Sequence, residues 1–291
     1  MNSQFIYCLG HTFDMGIKTT LSAHDIDRLS SQFLRQMCDP AHKDKISITS
    51  LKSNHSTLSA NININQQKRH PNSDDGFHFS AWPAADVAHR LALQSLGSSH
   101  DLKRFEICCK RSIRQHQFQT QITHQGHQFE YHMHDRAFFG ILDYGHPLNT
   151  HLPEHIEAPP KDFAHHDRFS IDSFSIDGSS AQVMINFESD SPAPSGSTLG
   201  PGLAIAIASQ AVIVHAYALC GIRHKKSGIV LKSFTLESYE PIPSPGSILI
   251  DINLGSIHKA HQKSEFVVID CECIFAQGKA RAKASYYFEP F

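Results

Sequence analysis

The segment LGPGLAIAIASQAVIVHAYALCG, residues 199–221, is a long apolar run in a chain that is otherwise polar. Pro201 suits the first turn of a helix, because the N–H that proline lacks has no helical partner there. Gly221 favours the end of that helix, because glycine readily adopts the left-handed conformation of a C-terminal cap. The residues between them leave almost no polar face. Such a helix is either enclosed in a protein core or embedded in a membrane.

Two interpretations of this helix follow from its surroundings. The run approaches membrane-spanning length, and the basic residues 223–226 follow it as a cytoplasmic flank would. However, the run is rich in alanine and carries Gln210 and His215, and strand-like segments follow it without interruption. We therefore predict a helix buried against a sheet and no membrane span.

The composition is that of a globular protein. Of the 291 residues, 19% are charged and 40% are hydrophobic, and the length allows two ordinary domains or one large one. A formal net charge of −2 gives no reason to expect nucleic-acid binding. The seven cysteines form no CxxC pair and are odd in number, which favours reduced thiols in a cytoplasmic protein. The N-terminal residues lack the pattern of a signal peptide.

Hydrophobic periodicity and turn residues divide the chain into two similar halves. In the first half we predict a strand at 5–9, a helix at 22–37 capped by Ser22, two strands within 45–65, a helix opening at Pro83 and closing at Gly97, and strands at 104–111, 116–124 and 128–142. In the second half we predict two strands within 169–187, the apolar helix, and strands at 229–239, 247–254, 266–276 and 280–288. Residues 145–167 hold four prolines and form a connector, so the predicted units are 1–144 and 168–291.

The two halves also share residues. Without a gap, Ser47, Ile48, Ser50, Ser56, Ile62 and Asn63 superpose on Ser170, Ile171, Ser173, Ser179, Ile185 and Asn186. The helices then superpose with Gln94 on Gln210, and the loop before each helix absorbs the difference in length. A period this long favours duplication of a whole domain over a solenoid, and chance similarity of Ser- and Ile-rich strands is the alternative.

This order of elements, with one apolar helix between a strand pair and three or four antiparallel strands, resembles the hotdog fold. In that fold a curved sheet wraps a long helix. The segments YEPIPSPGSILIDINL (239–254) and EFVVIDCECIFAQGKARAKASYYF (265–288) resemble the C-terminal half of acyl-thioester dehydratases, through Pro243, Pro245, Gly246 and Gly278. The resemblance implies an α+β fold of two tandem hotdog units with a joined sheet, as a monomeric double hotdog or a homodimer.

The resemblance also implies a catalytic set. Hotdog dehydratases use a His ahead of one helix and an acid in the facing helix, four residues before a common Gln. His78 in FHFSAWP matches the first position, whereas Arg90 stands four residues before Gln94. Asp86 is the only carboxylate in the two helices that match the hotdog helix. We therefore predict His78, Asp86 and Arg90 as catalytic residues, with a surface salt bridge between Asp86 and Arg90 as the alternative.

Other residues are predicted to bind the substrate. The N-terminus of the second helix offers N–H groups and a partial positive charge to a thioester carbonyl, and Gly200 and Gly202 allow close approach. These glycines have the alternative role of forming the turn into the helix. Gln94 and Gln210 are predicted to orient a carbonyl or a water molecule, or to tie each helix to the sheet.

No cofactor or metal is expected. His132 and His134 would share a strand face, but a chain with 22 histidines contains such pairs by chance. For the same reason any single histidine, including His78 as a general base, carries little weight. His215 is predicted to be a hydrogen-bonded core residue.

Three functions remain open at this point. The first is an enzyme acting on acyl carrier protein or coenzyme A thioesters in fatty-acid, polyketide or secondary-metabolite synthesis, with dehydratase-like or thioesterase-like activity. The second is an A-factor-type synthase that condenses a β-ketoacyl thioester with a small polyol, whose Glu-x-x-Arg-Gln pattern is matched here only by Arg90 and Gln94. The third is a non-catalytic acyl- or partner-binding protein.

Overall fold

The computed structural model describes residues 5–8, 11–29, 45–54, 56–65, 80–96, 100–111, 113–125, 128–145, 163–164, 167–193, 196–222, 229–261 and 266–288. The first half contributes β1 (Phe5–Cys8), β2 (His11–Asp14), β3 (Lys18–Leu21), the helix α1 (residues 23–29), β4 (Lys45–Asn54), β5 (Thr57–Asn65), the helix α2 (Ala81–Leu96), β6 (Arg104–Cys109), β7 (Gln117–Gln125), β8 (Gln128–Met133) and β9 (Phe138–Asp143).

The second half repeats this series. It contributes β10 (Phe163–Ala164), β11 (Arg168–Asp177), β12 (Ser180–Glu188), β13 (Ser191–Ala193), β14 (Gly196–Thr198), the helix α3 (Pro201–Leu219), β15 (Ile229–Ser238), β16 (Gly246–Lys259), β17 (Val267–Phe275) and β18 (Ala280–Phe288). The strands predicted from periodicity in this half are all confirmed, as is the apolar helix.

Two predictions in the first half need correction. The strand predicted at 128–142 is wrong, because the chain reverses between Met133 and Phe138 and forms two strands, β8 and β9. The helix predicted to open at Pro83 begins at Ala81, which still leaves the proline in the first turn, where its missing N–H is tolerated. Gly97, predicted to close it, lies outside the described residues.

The capping of α1 follows the prediction. Ser22 Oγ accepts a hydrogen bond from Asp25 N (3.1 Å) and donates to the Asp25 carboxylate (2.6 Å), so the two residues cap the first turn together. Residues 30–37, the rest of the predicted helix, lie outside the described residues.

Within the described residues, fourteen strands form one antiparallel sheet in the order β10-β4-β5-β7-β8-β9-β6-β15-β18-β17-β16-β12-β11-β3. The order is symmetric about its centre, where β6 and β15 pair through Phe105 and Leu236. Each half supplies six strands in matching order. One short strand from elsewhere in the chain covers each edge, and β3 from the N-terminal segment joins the second half. The predicted unit boundaries remain a prediction.

A shared irregularity supports the duplication. In the pairing of β4 with β5 the register shifts between Ile48 and Ser50, and in the pairing of β11 with β12 it shifts between Ile171 and Ser173. These are the residues that superpose in the sequence. A β-bulge inserts one residue and bends its strand at a defined place. Both halves therefore carry the same bend, and the repeat is one of structure as well as of residues.

Helix α3 lies inside the protein. It packs against α2, β11 and β15, and 89% of its most apolar 18-residue window, with mean hydropathy 1.7, is buried. By length and composition alone this helix could cross a membrane, but here strands and α2 cover its circumference. His215 is fully buried within it and its Nε2 donates to the carbonyl oxygen of Gly178 (2.8 Å), as predicted for a core residue.

Candidate active site between the two helices

The helix residues that carry polar chemistry meet at the junction of α2 and α3. Asp86, His89 and Arg90 follow one another at helical spacing on α2, and the first turn of α3 faces them. In α3 the corresponding turn is built from Gly200, Pro201 and Gly202. One half of the chain thus provides charged and ionisable groups, and the other provides a helix N-terminus.

Asp86 is in direct contact with that N-terminus. Its side chain is only 3% exposed, and its Oδ1 accepts a hydrogen bond from Gly202 N (3.1 Å). The carboxylate therefore lies where the partial positive charge of α3 is greatest. A Cβ on residue 202 would lie 2.4 Å from the Asp86 carboxyl carbon, so only glycine admits this contact.

Gly200 allows a second close approach. It caps α3 in an extended conformation, and a Cβ there would lie 2.5 Å from Ser191 Oγ in the β13–β14 hairpin. The N–H of Gly200 donates no hydrogen bond to any described residue, although Gly200 is buried. Buried N–H groups rarely lack an acceptor, so this group is suited to a bound carbonyl oxygen or water.

Arg90 bridges the two halves at the edge of the junction. Its guanidinium forms a salt bridge with Asp190, which follows β12, and the two side chains are 24% and 33% exposed. The backbone N–H of Asp190 in turn donates to the buried Asp167 (3.1 Å). Asp86 is buried, so it is not the exposed partner that a surface salt bridge with Arg90 would require.

A small cavity of about 30 Å³, which is about the volume of one water molecule, lies beside His89 and Gly200, and neither Asp86 nor Arg90 is among the residues that line it. It is lined on one side by His89, His100, Asp101, Leu102 and Lys103, and on the other by Ser191, Ala193, Thr198, Leu199, Gly200, Pro201, Leu236, Ser238, Pro241, Ile242 and Ala280. Both halves of the chain therefore contribute to its wall.

His89 is the functional candidate that the sequence did not single out. Its Nδ1 lies 2.9 Å from the hydroxyl oxygen of Tyr144, and the two rings are stacked with their centres 5.9 Å apart. Burial lowers the pKa of His89 to about 4 and raises that of Tyr144 well above its usual value, so both are neutral at pH 7. The charge of Asp86 partly opposes the shift of His89. Its position one helical turn after Asp86 was the available signal.

Several solved structures are similar to this chain over most of its length. One is the dehydratase domain of RzxB from Pseudomonas fluorescens, with a TM-score of 0.49 and 10% identity over 82% of this chain and 97% of that chain. Another is a hotdog-fold protein of unknown function from Alicyclobacillus acidocaldarius, with a TM-score of 0.46 and 10% identity over 83% of this chain and 96% of that chain. A third is a putative thioesterase II from Thermobifida fusca, with a TM-score of 0.44 and 12% identity over 82% of this chain and 95% of that chain. No protein-family model matches the sequence, and neither does any curated protein.

This is a double hotdog fold. The assignment rests on the symmetric strand order, the shared bulge and the two enclosed helices, which confirm the α+β class and the tandem units predicted from the sequence. The similarity to the solved structures concerns the fold.

Among the described residues, the predicted Gln94 and Gln210 do not line the junction cavity. His78 lies outside the described residues. Gln94 is half-buried in the first hotdog unit, and Gln210 of the second is 4% exposed with no hydrogen-bond partner for its Oε1 among the described residues. Eight residues of helix separate Gln210 from Gly202, which is roughly 12 Å along the axis.

The histidine pair considered for a metal site is separated by secondary structure. His132 lies in β8 of the first hotdog unit, whereas His134 lies beyond the end of that strand, in the turn to β9. Within the part of the chain that the structure describes, no three His, Cys, Asp or Glu side chains are grouped closely enough to hold a metal ion.

Proposed function

We propose that the double hotdog hydrolyses an acyl thioester, carried by acyl carrier protein or coenzyme A, at the junction between the two units. The observation that carries the proposal is the Asp86 carboxylate of one unit fixed at the N-terminus of the other unit's helix. Negative charge that develops on a thioester oxygen is stabilised by the positive end of a helix. A carboxylate at the same place is positioned to move a proton.

In the proposed reaction, Gly200 N–H binds the substrate and Asp86 carries the proton. The thioester oxygen accepts a hydrogen bond from Gly200 N–H, which faces no protein acceptor among the described residues. Asp86 takes a proton from water while the water oxygen bonds to the carbonyl carbon. The tetrahedral intermediate then loses its carbon–sulfur bond, and Asp86 returns the proton to the leaving sulfur. His89 and Tyr144, both neutral, hold the wall of the cavity in place.

The roles of the other predicted residues follow from their positions. Arg90 of the first unit pairs with Asp190 of the second unit and is not assigned a step of the reaction. The single Gly202 N–H serves Asp86 and not the substrate. Dehydration requires a second protein side chain that transfers a proton to or from the substrate, and His78 is the candidate for that role.

A panel of acyl carrier protein and coenzyme A thioesters, analysed by mass, tests the reaction type. Free acid supports hydrolysis. Loss of water from a 3-hydroxyacyl substrate indicates dehydration, and a heavier product with a small polyol indicates an A-factor-type condensation. Either of these products without free acid contradicts the proposal.

A non-catalytic acyl-binding role is the second candidate. It is favoured by the burial of Asp86 and by a cavity that is no larger than one water molecule. In this case the Asp86 carboxylate acts only as a cap for α3. Measurable binding of acyl chains, with no turnover of any thioester in the panel, would establish this role.

A further inference from the structure

A second concave surface lies on the outside of the first hotdog unit. It is open to solvent and has a volume of about 800 Å³ over β4, β5, β7 and β8, which is within the range of small-ligand sites. Gln117, Gln119 and Gln121 project into it, because they alternate along β7 with the buried Phe118 and Thr120. We call this surface the amide groove. It is on the opposite side of the sheet from α2.

Three amide side chains of the amide groove are not used within the part of the chain that the structure describes. The side chains of Asn61, Gln119 and Gln121 make no hydrogen bond to any described residue. On the outer face of the second hotdog unit, by contrast, polar side chains pair with one another, as Gln182 does with Asp251 (2.8 Å). The first unit therefore presents donors and acceptors to solvent where the second unit satisfies its own.

The charges of the groove favour an anion. Lys52 and Arg136 line it. The acidic residue at its rim, Asp135, is paired with a base, because its Oδ2 lies 3.7 Å from Arg111 Nη2. The imidazoles of His132 and His134 add further donors. Amides bind hydroxyl groups as both donor and acceptor, and a lysine with an arginine binds an anionic group.

The turn that holds Arg136 beside the groove is strained. His134, Asp135 and Arg136 have φ values of 43°, 53° and 62°, a conformation that disfavours residues with a Cβ by roughly 1–2 kcal/mol each. The equivalent turn in the second unit has Gly278 at its third position, where the first has Arg136. The Arg136 side chain also has an internal contact, because its guanidinium lies 5.3 Å from the centre of the Phe139 ring, and this contact holds it beside the groove.

We propose that the amide groove binds a polyhydroxylated anion, either a sugar phosphate or a sugar acid. The amides Asn61, Gln119 and Gln121 contact the hydroxyl groups, and Lys52 and Arg136 contact the phosphate or carboxylate. This site is independent of the thioester chemistry at the helix junction.

Isothermal titration calorimetry on the full chain, with glucose 6-phosphate, glucuronate and glucose, tests the proposal. We expect one or both anions to bind, and glucose to bind at least about tenfold more weakly. Preference for one anion identifies the anionic group. Absence of heat from both anions at millimolar concentration overturns the proposal, as does equal binding of glucose.

A matched pair of variants locates the site. Gln119→Glu places a negative charge in the groove without removing an internal contact, and we expect it to weaken anion binding about tenfold. Gln125→Glu places the same charge on the same strand, outside the groove lining. Equal weakening by both variants would mean that the anion responds only to net charge, and would overturn the assignment. Unchanged unfolding temperatures show that both variants are folded.

Discussion

The two helices occupy equivalent places in the two hotdog units but differ in chemistry. When they are superposed by their glutamines, Asp86, His89 and Arg90 of α2 fall on Gly202, Ile205 and Ala206 of α3. Asp86 and Gly202 are also in contact across the junction. A carboxylate in one copy is accommodated because its counterpart in the other copy has no side chain. The chain therefore has one polar junction, and α3 is free to be apolar all round.

Among the changes that test this difference between the helices, Gly202→Ala is expected to have the largest effect on stability. The added Cβ would lie 2.4 Å from the Asp86 carboxyl carbon in a closely packed junction, so we expect a loss of about 2–4 kcal/mol in the free energy of unfolding. Asp86→Ala should relieve that clash, so the double variant should lose less than the sum of the two single losses in urea unfolding. Gly255→Ala, whose Cβ would meet its nearest atom at 3.6 Å, serves as a control. Additive losses would contradict the contact.

Acid should destabilise both helices through their buried histidines. The pKa values of His89 and His215 are lowered to about 4 from 6.5, so the unfolded chain binds more protons than the folded one between these values. Their stabilising contribution is therefore present above pH 6.5 and is lost as the pH falls to 4, by about 3 kcal/mol for each residue. Urea unfolding of the wild type and His89→Gln at several pH values measures this. The variant should show a shallower decline, and an identical decline would be inconsistent with a buried neutral His89.

The β8–β9 and β17–β18 hairpins occupy equivalent places in the two units, and exchanging a glycine and a larger residue in their turns should change stability in opposite directions. Arg136→Gly removes the Cβ from a residue with a left-handed backbone and so relieves its strain, which should stabilise the protein by about 1 kcal/mol. Gly278→Ala adds a Cβ at a positive φ and should destabilise the protein by about the same amount. Thermal unfolding of both variants measures the two shifts. Destabilisation by Arg136→Gly would show that contacts of the arginine outweigh its backbone strain.

The smallest effect is expected from the ion pair that crosses the junction. Arg90 and Asp190 are 24% and 33% exposed, so solvent and salt weaken their attraction and we expect a coupling energy of about 0.5–1 kcal/mol. A double-mutant cycle with Arg90→Met and Asp190→Asn measures it at low and high salt. Coupling that does not fall with salt would contradict a partly exposed pair.

Periodicity and turn residues predicted most of the fold, because alternating strands such as β5 and a uniformly apolar helix such as α3 leave clear patterns. The residue matches between the halves were informative because they fall on a bulge that both units keep. The turn between β8 and β9 was missed because His134, Asp135 and Arg136 include no Gly or Pro. The short edge strands β3 and β10 were missed because their formation depends on the sheet that they join.

The site was predicted in part. Asp86 and Gly202 were singled out for separate reasons, and the sequence gives no sign that residues 116 positions apart touch. His89 and Tyr144 were missed because 55 residues separate them and 22 histidines conceal any one of them. Asp86 and Arg90 have helical spacing, but the interaction of Arg90 with Asp190 depends on how the second unit packs against the first.

The most direct test of the central claim compares thioester hydrolysis by the wild type and Asp86→Asn. Asparagine keeps the shape of the side chain and an oxygen for Gly202 N–H, but cannot take a proton from water. We expect the rate of free-acid formation to fall at least about 100-fold, with the unfolding temperature little changed. Asp251→Asn, the same change on the outer face of the second unit, should keep the wild-type rate. Full activity of Asp86→Asn would show that Asp86 only caps α3 and would contradict the account.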